Sequence, residues 1–447
     1  MSALRLLMPL KNEMEQELSP ALKPHPTKLI VETTTRCNLQ CPMCLKNTRK
    51  DVLTDADMTH DIFEILLPAL PTAQVLVLNG IGEPLLHPRL DDFIRIAKRH
   101  MPSDSWVGFQ SNGLLIDEHR AEDLVETGLN RICLSIDAMD PEGFRLIRKG
   151  GELSGVTQAL QVLNSARMRH QAPLEIGIEF VLRNDNMIEL PATIRWAGSM
   201  GVDFALVTHL SPYHPDLTPK TVYTTNSDAS VALFNEYLKR SEKKGLDIRR
   251  YLHVYMKYLK TRADRKIIKL VESMKLEAMR QGIWLNLGKL FAMDHAMKEK
   301  IQSVFEEARS AASSTGLDLR LPSVLPKGTR RCEFIEEGCT FISVNGDVHP
   351  CYSLWHPYCL YMNGFENAVG TKHFGSLSDQ GILEIWNDQA FTAFRRNVLN
   401  YDYPFCFDCS FAVCDYVNTE EFEQDCYINA EPCAVCLWCR DLLQCLK

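Results

Sequence analysis

Three cysteines in the run TTTRCNLQCPMCLKN, at Cys37, Cys41 and Cys44, follow a C-x3-C-x2-C spacing. Thiolates so close in one loop can hold metal. A structural zinc wants four ligands, usually as C-x2-C pairs. No fourth Cys or His follows closely, His60 being the nearest candidate. Three thiolates instead suit a 4Fe–4S cluster with one iron left open. Of the 16 cysteines, twelve lie between Cys332 and Cys445, and none lies between 134 and 331. The later ones run Cys332, Cys339, Cys351, then Cys406-x2-Cys409-x4-Cys414, Cys426, and Cys433, Cys436, Cys439 and Cys445. Clustered cysteines in a long chain without an export signal point to metal or iron–sulfur ligation, not to a disulfide scaffold. A pair of zinc ribbons is the competing reading, since C-x2-C pairs recur there. Cys133 reads as a buried small residue between apolar neighbours, and Cys359 and Cys439 as non-ligands, Cys439 packing beside Trp438.

Further polar residues stand where apolar runs end. NGIGEPLLHP carries Gly80, Gly82 and Glu83, and QSNGLL carries Ser111 and Asn112. LSIDAMDPEGFRLIRKGG carries Ser135, Asp137 and Arg148. Small residues beside an acidic one let backbone carbonyls approach an ammonium group. Each group also has a plain reading: a turn for the glycines, Ser111 and Asn112, and a helix cap for Asp137.

The elements that position these residues alternate. β-rich runs at 29–34, 75–80, 106–112, 131–137, 175–182 and 204–210 are separated by helical spacing at 59–70, 89–100, 117–127, 154–168 and 187–200. Six such units predict an α/β fold, a partial (β/α)6 barrel with polar residues at the carboxyl ends of its strands. The expected divisions are a lead-in over 1–27, the barrel over 28–215, a basic helical insertion over 216–330, and a cysteine-rich domain over 331–447. The insertion holds 22 Lys and Arg against 13 Asp and Glu, although the 447-residue chain has a net charge of −8. Within it, 239–269 interleaves 12 basic residues with Tyr251, Tyr255 and Tyr258. That run reads as a solvated helix face with a buried tyrosine stripe, or as a face for RNA or an acidic protein. The cysteine-rich region is expected to fold around metal clusters more than around an apolar core. No apolar run is long enough to span a membrane and no cleavage site follows the first residues, so a cytoplasmic location is expected.

Taken in order, these motifs resemble the radical S-adenosylmethionine (SAM) superfamily. The resemblance implies a 4Fe–4S cluster on Cys37, Cys41 and Cys44 whose open iron binds SAM, and reductive cleavage of SAM to a 5′-deoxyadenosyl radical. It implies SAM contacts from Gly80, Gly82, Glu83, Ser111, Asn112, Ser135 and Arg148, with Asp137 in the cavity as the catalytic candidate. Met43 stands where that family often has an aromatic residue. The C-terminal cysteines resemble the SPASM domain, which implies two auxiliary 4Fe–4S clusters drawn from Cys332, Cys339, Cys351, Cys406, Cys409, Cys414, Cys426, Cys433, Cys436 and Cys445. THLSPYHPD, FCFDCSFAVCD and DCYINAEPCAVCLW are similar to the radical SAM maturases associated with tungsten-cofactor oxidoreductases. The partners so implied are a low-potential electron donor, ferredoxin or flavodoxin, and a tungsten or molybdenum oxidoreductase. The rival is a peptide- or protein-modifying radical SAM/SPASM enzyme. The 27 residues before the barrel are too few for a leader-recognition domain, which lowers that reading. A SPASM-type small-molecule dehydrogenase comes third, and nucleic acid is not expected as a partner.

Overall fold

The computed structural model describes residues 19–48, 53–362, 365–411, 414–416, 419 and 421–446. Residues 1–18 of the expected lead-in lie outside the described residues. The six apolar runs form strands β1 (Lys28–Val31), β2 (Val75–Val77), β3 (Trp106–Ser111), β4 (Arg131–Ser135), β5 (Glu175–Leu182) and β6 (Phe204–His209). They pair in parallel and in chain order. Each crossover contains helix, as parallel neighbours require. Burial explains the strands' composition, since Leu29, Leu76, Val107, Ile132, Ile178 and Val207 are all fully covered.

Local chemistry sets where the crossover helices begin. Asp117 accepts from the Arg120 N–H to cap Glu118–Glu126, and Asp140 caps Pro141–Ile147. Leu90–His100 opens with Asp91 and Asp92 and closes with Lys98, Arg99 and His100, matching the helix dipole.

The sheet is wider than six strands. β7 (Asp318–Arg320) adds in parallel to β6, β8 (Cys339–Ile342) in parallel to β1, and β9 (Val348–His349) antiparallel to β8. The order is β7-β6-β5-β4-β3-β2-β1-β8-β9. Three-residue β7 is too short to show a period of two.

The basic stretch divides between two cores. Helices Asp228–Glu242, Tyr251–Met256, Arg262–Gln281 and Leu287–Phe291 enclose a separate small core that includes Phe234, Ile248, Val271, Met274 and Leu290. The helix His295–Thr315 instead joins the main core through Ile301, Phe305 and Ala308 and leads into β7. Tyr251 is buried, but Tyr255 and Tyr258 are exposed and Tyr258 lies past its helix's end, so the three do not form one buried stripe.

The C-terminal region has a larger apolar core than expected. Helices Ile382–Asn387 and Gln389–Asn400 bury Trp386, Phe391 and Phe394. Phe374 stacks on Phe391 with centroids 4.1 Å apart. This packing is continuous with the barrel's core. A second hairpin, β10 (Tyr358–Met362) with β11 (Phe365–Val369), stands apart from the main sheet. The last residues run beside β6: the Leu442 carbonyl accepts from the His209 N–H at 3.2 Å, and Thr208 Oγ1 from the Gln444 N–H at 3.1 Å.

Candidate active site

The loop bearing Cys37, Cys41 and Cys44 leaves the carboxyl end of β1, and each of the other motifs is hydrogen-bonded to it. The Glu83 N–H donates to the Arg36 carbonyl at 2.7 Å. Asn112 Nδ2 donates to Asn38 Oδ1 at 2.7 Å. The Gln40 N–H donates to the Lys149 carbonyl at 2.9 Å. Arg148 is hydrogen-bonded to Cys41.

Glycine is required where the second loop lies on the first. A Cβ on Gly80 would collide with the Glu32 side chain, and one on Gly82 with the Thr34 and Arg36 carbonyls. In this structure the small residues therefore serve the docking of two loops.

The carboxylates mainly hold the scaffold. Buried Glu83 accepts from Ser111 Oγ at 2.8 Å, from the Asn112 N–H at 2.8 Å and from the Leu85 N–H at 3.2 Å. Burial raises its pKa to about 6 despite these bonds. Asp137 is wholly buried, its Oδ2 on Arg148 Nε at 2.5 Å and its Oδ1 on the Val181 N–H at 2.7 Å. It is not the nearby helix cap, which is Asp140. With both oxygens engaged, Asp137 joins β4, β5 and Arg148. Ser135 is buried at the end of β4 opposite Glu179, and Met43 is buried in the cysteine loop.

Several residues at the same level were not singled out from sequence. Glu32, at the end of β1, is fully buried and accepts from the Ile81 N–H at 3.0 Å, the Val344 N–H at 3.2 Å and His356 Nε2 at 3.1 Å. Asn79 and Gln110 bond across β2 and β3 at 3.1 Å. Burial pushes Glu179 up to about 7, with Arg148 opposing. Tyr213 lies where both Cys44 and Cys436 act on it and meets Tyr358 edge-on at 5.2 Å. An acidic residue inside an otherwise apolar buried strand, as in EIGIEFVL, is the signal that could have marked Glu179.

The thiols fall into three sets. Cys37, Cys41 and Cys44 act on one another, and burial raises all three, Cys44 to about 11. A second set gathers Cys332, Cys351, Cys433, Cys436 and Cys439; Cys439 is hydrogen-bonded to both Cys332 and Cys436. Cys439 is thus a member of a thiol set as well as a packing residue, and it is Trp438 that packs, against Phe334 at 5.2 Å. The third set is Cys406, Cys409, Cys414 and Cys426. Cys339 is not brought into either of these two sets: it lies on β8, beside Lys28 and Glu337. Cys445 faces Glu179 and Cys339 inside the sheet. Cys133 is buried on β4, and Cys359 lies on β10 opposite Ala368.

Buried cations surround the second and third sets. Arg330 acts on Cys406 and Cys433, and Arg440, 1% exposed, acts on Cys439 and Cys406. Arg330 Nη1, Arg440 Nε and Lys289 Nζ are shielded and have no hydrogen-bond partner among the described residues. Arg330 and Arg440 donate through another nitrogen to backbone carbonyls, which leaves their charge unneutralised, and shielded cations call for nearby negative charge. Thiolate-ligated iron–sulfur clusters supply it, so these donor sets fit such a group.

The family model for the radical SAM superfamily matches residues 31–197, and that for the SPASM iron–sulfur cluster-binding domain matches 332–410. The tungsten-containing aldehyde ferredoxin oxidoreductase cofactor-modifying protein of Pyrococcus furiosus is 28% identical over 424 residues, covering 93% of this chain and 96% of that one. GTP 3′,8-cyclase of Chlorobaculum tepidum is 32% identical over 165 residues, which are 37% of this chain and 48% of that one. Among solved structures, Streptococcus suis SuiB bound to S-adenosylmethionine aligns with a TM-score of 0.52 at 12% identity, covering 91% of this chain and 77% of that one. This last likeness is one of fold.

Proposed function

We propose that this chain, which belongs to the radical SAM superfamily and carries a SPASM iron–sulfur domain, matures a tungsten-containing oxidoreductase or its cofactor. As a radical SAM enzyme it uses a 4Fe–4S cluster with SAM, and the SPASM domain implies auxiliary clusters. The observation that carries the reading is the relative from Pyrococcus furiosus, whose similarity runs through nearly the whole of both chains, the basic insertion included. When bound, the first cluster supplies the electron that cleaves SAM to methionine and a 5′-deoxyadenosyl radical.

The chain's own residues would act as follows. Cys37, Cys41 and Cys44 hold the first cluster, with Arg148 beside Cys41. Glu83 fixes Ser111 and Asn112, which with Gly80, Gly82 and Ser135 form the wall that receives SAM. Asn79, Gln110 and Glu179 offer hydrogen bonds to a polar substrate at the strand ends, and Glu32 holds Ile81, Val344 and His356 in place. Four of Cys332, Cys351, Cys433, Cys436 and Cys439 would provide the ligands of one auxiliary cluster, and Cys406, Cys409, Cys414 and Cys426 those of another. A ferredoxin or flavodoxin delivers electrons in the cytoplasm, a reducing compartment that suits sixteen thiols.

The test incubates the purified chain without oxygen, with SAM, a low-potential reductant and an immature tungsten-containing aldehyde oxidoreductase. The oxidoreductase or its extracted cofactor should stimulate 5′-deoxyadenosine release and change in mass. Stimulation by short peptides alone, with neither tungsten component active, would replace this reading with peptide modification.

A further inference from the structure

The third thiol set is gripped by the basic insertion. Trp284 stacks on Phe405 with centroids 6.0 Å apart. Asn286 Nδ2 donates to the Cys409 carbonyl at 2.8 Å, while its Oδ1 accepts from the Lys289 N–H at 3.1 Å. Asp408 Oδ1 accepts from the Ser227 N–H at 2.9 Å and from Ser230 Oγ at 2.8 Å. Within this grip the Lys289 ammonium is screened from solvent and finds no hydrogen-bond acceptor among the described residues. The groups facing it that can carry negative charge are Asp408, Cys409 and Cys406. Asp408 is already engaged by the two serines, and Lys289 makes no bond to it.

An ammonium placed so needs an anion close by. We propose that Lys289 is a positioning residue whose fixed positive charge offsets the cluster held by Cys406, Cys409, Cys414 and Cys426 and raises that cluster's reduction potential. The physical reason is that reduction adds negative charge, and a nearby cation in a low-dielectric setting stabilises the reduced state. The insertion then has a task inside the enzyme: it carries the charge that sets how readily this auxiliary cluster accepts an electron. This inference rests on the cluster assignment proposed above.

The experiment uses the full chain, reconstituted without oxygen, with Cys37, Cys41 and Cys44 changed to Ala so that only the C-terminal clusters titrate. Cys409→Ala in that background identifies the third set's signal in a redox titration read by electron paramagnetic resonance. If Cys409→Ala leaves iron and both signals untouched, the cluster assignment fails, independently of Lys289. Given the signal, Lys289→Met should lower the equilibrium constant for its reduction at least tenfold, about 59 mV for one electron. Lys289→Arg, which keeps the charge, should stay near the parent. Loss of the cluster in Lys289→Met with retention in Lys289→Arg would also support the counter-charge. An unchanged potential in Lys289→Met with full iron, or equal shifts or equal loss in Met and Arg variants, would overturn it.

Discussion

Glu83 carries three hydrogen bonds from its neighbours on one buried carboxylate, so its substitution should act on SAM through Ser111 and Asn112. Glu83→Ala should weaken SAM binding by about 1.5–3 kcal/mol, the scale of a hydrogen bond to a charged group, and lower the melting temperature as well. Calorimetric titration with SAM beside a thermal scan checks both. A weakened affinity with an unmoved melting temperature would instead make Glu83 a direct contact. Glu179 has a pH signature. Its pKa of about 7 exceeds the ordinary 4.5 because burial disfavours the charge. The folded chain therefore keeps a proton that the unfolded chain loses, and stability falls as pH rises from about 4.5 to about 7. Arg148 favours ionisation, while Asp137, Cys133 and Cys445, which also face Glu179, do not. Glu179→Gln removes the cost of charging. Its melting temperature should match the parent near pH 4.5 and exceed it at pH 8; a difference independent of pH would contradict the burial argument.

At the scale of elements, the strands were legible because burial on both faces demands apolar runs, and β5 follows its expected span of 175–182 residue for residue. The cysteine loop and the loops carrying Glu83, Asn112 and Asp137 were legible because each is a polar break at a strand's carboxyl end. Membership of the later thiol sets was not, because cysteine spacing does not say which way the chain folds back. Cys339 has the spacing of a ligand but lies on a strand of the barrel's sheet, and Cys439 is drawn to Cys332 from 107 positions away. Glu32 was hidden for a similar reason: its partners, Val344 and His356, come from a distant part of the chain. The placements give a direct expectation. Cys439→Ala should disturb iron content or the spectrum of one C-terminal cluster. Cys339→Ala and Cys445→Ala should leave both unchanged, at a stability cost for the buried cavity. Iron analysis of the three variants decides, and loss of about four irons from Cys445→Ala would reverse the assignment.

In the whole molecule the three thiol sets share one scaffold and are not carried on independent domains. β8 extends the barrel sheet while Cys332 and Cys351, on either side of it, join the second set. Tyr213, past the end of β6, stands where both the first and second sets act on it. The insertion reaches back to hold the third. Such a layout suits electron passage between the C-terminal clusters and the barrel, and it predicts that the sets are separable in composition but not in function. The full chain should hold about twelve irons, from three four-iron clusters. Changing Cys37, Cys41 and Cys44 to Ala should leave about eight, because the later sets have their own ligands, yet abolish 5′-deoxyadenosine formation. Changing Cys406 and Cys409 to Ala should remove about four irons and spare the first cluster, while slowing turnover with substrate more than SAM cleavage alone. Anaerobic metal analysis beside product quantification distinguishes these outcomes. Zinc in place of iron in the chain lacking the first three thiols would mean that the C-terminal sets are zinc sites, which cannot pass electrons to the barrel.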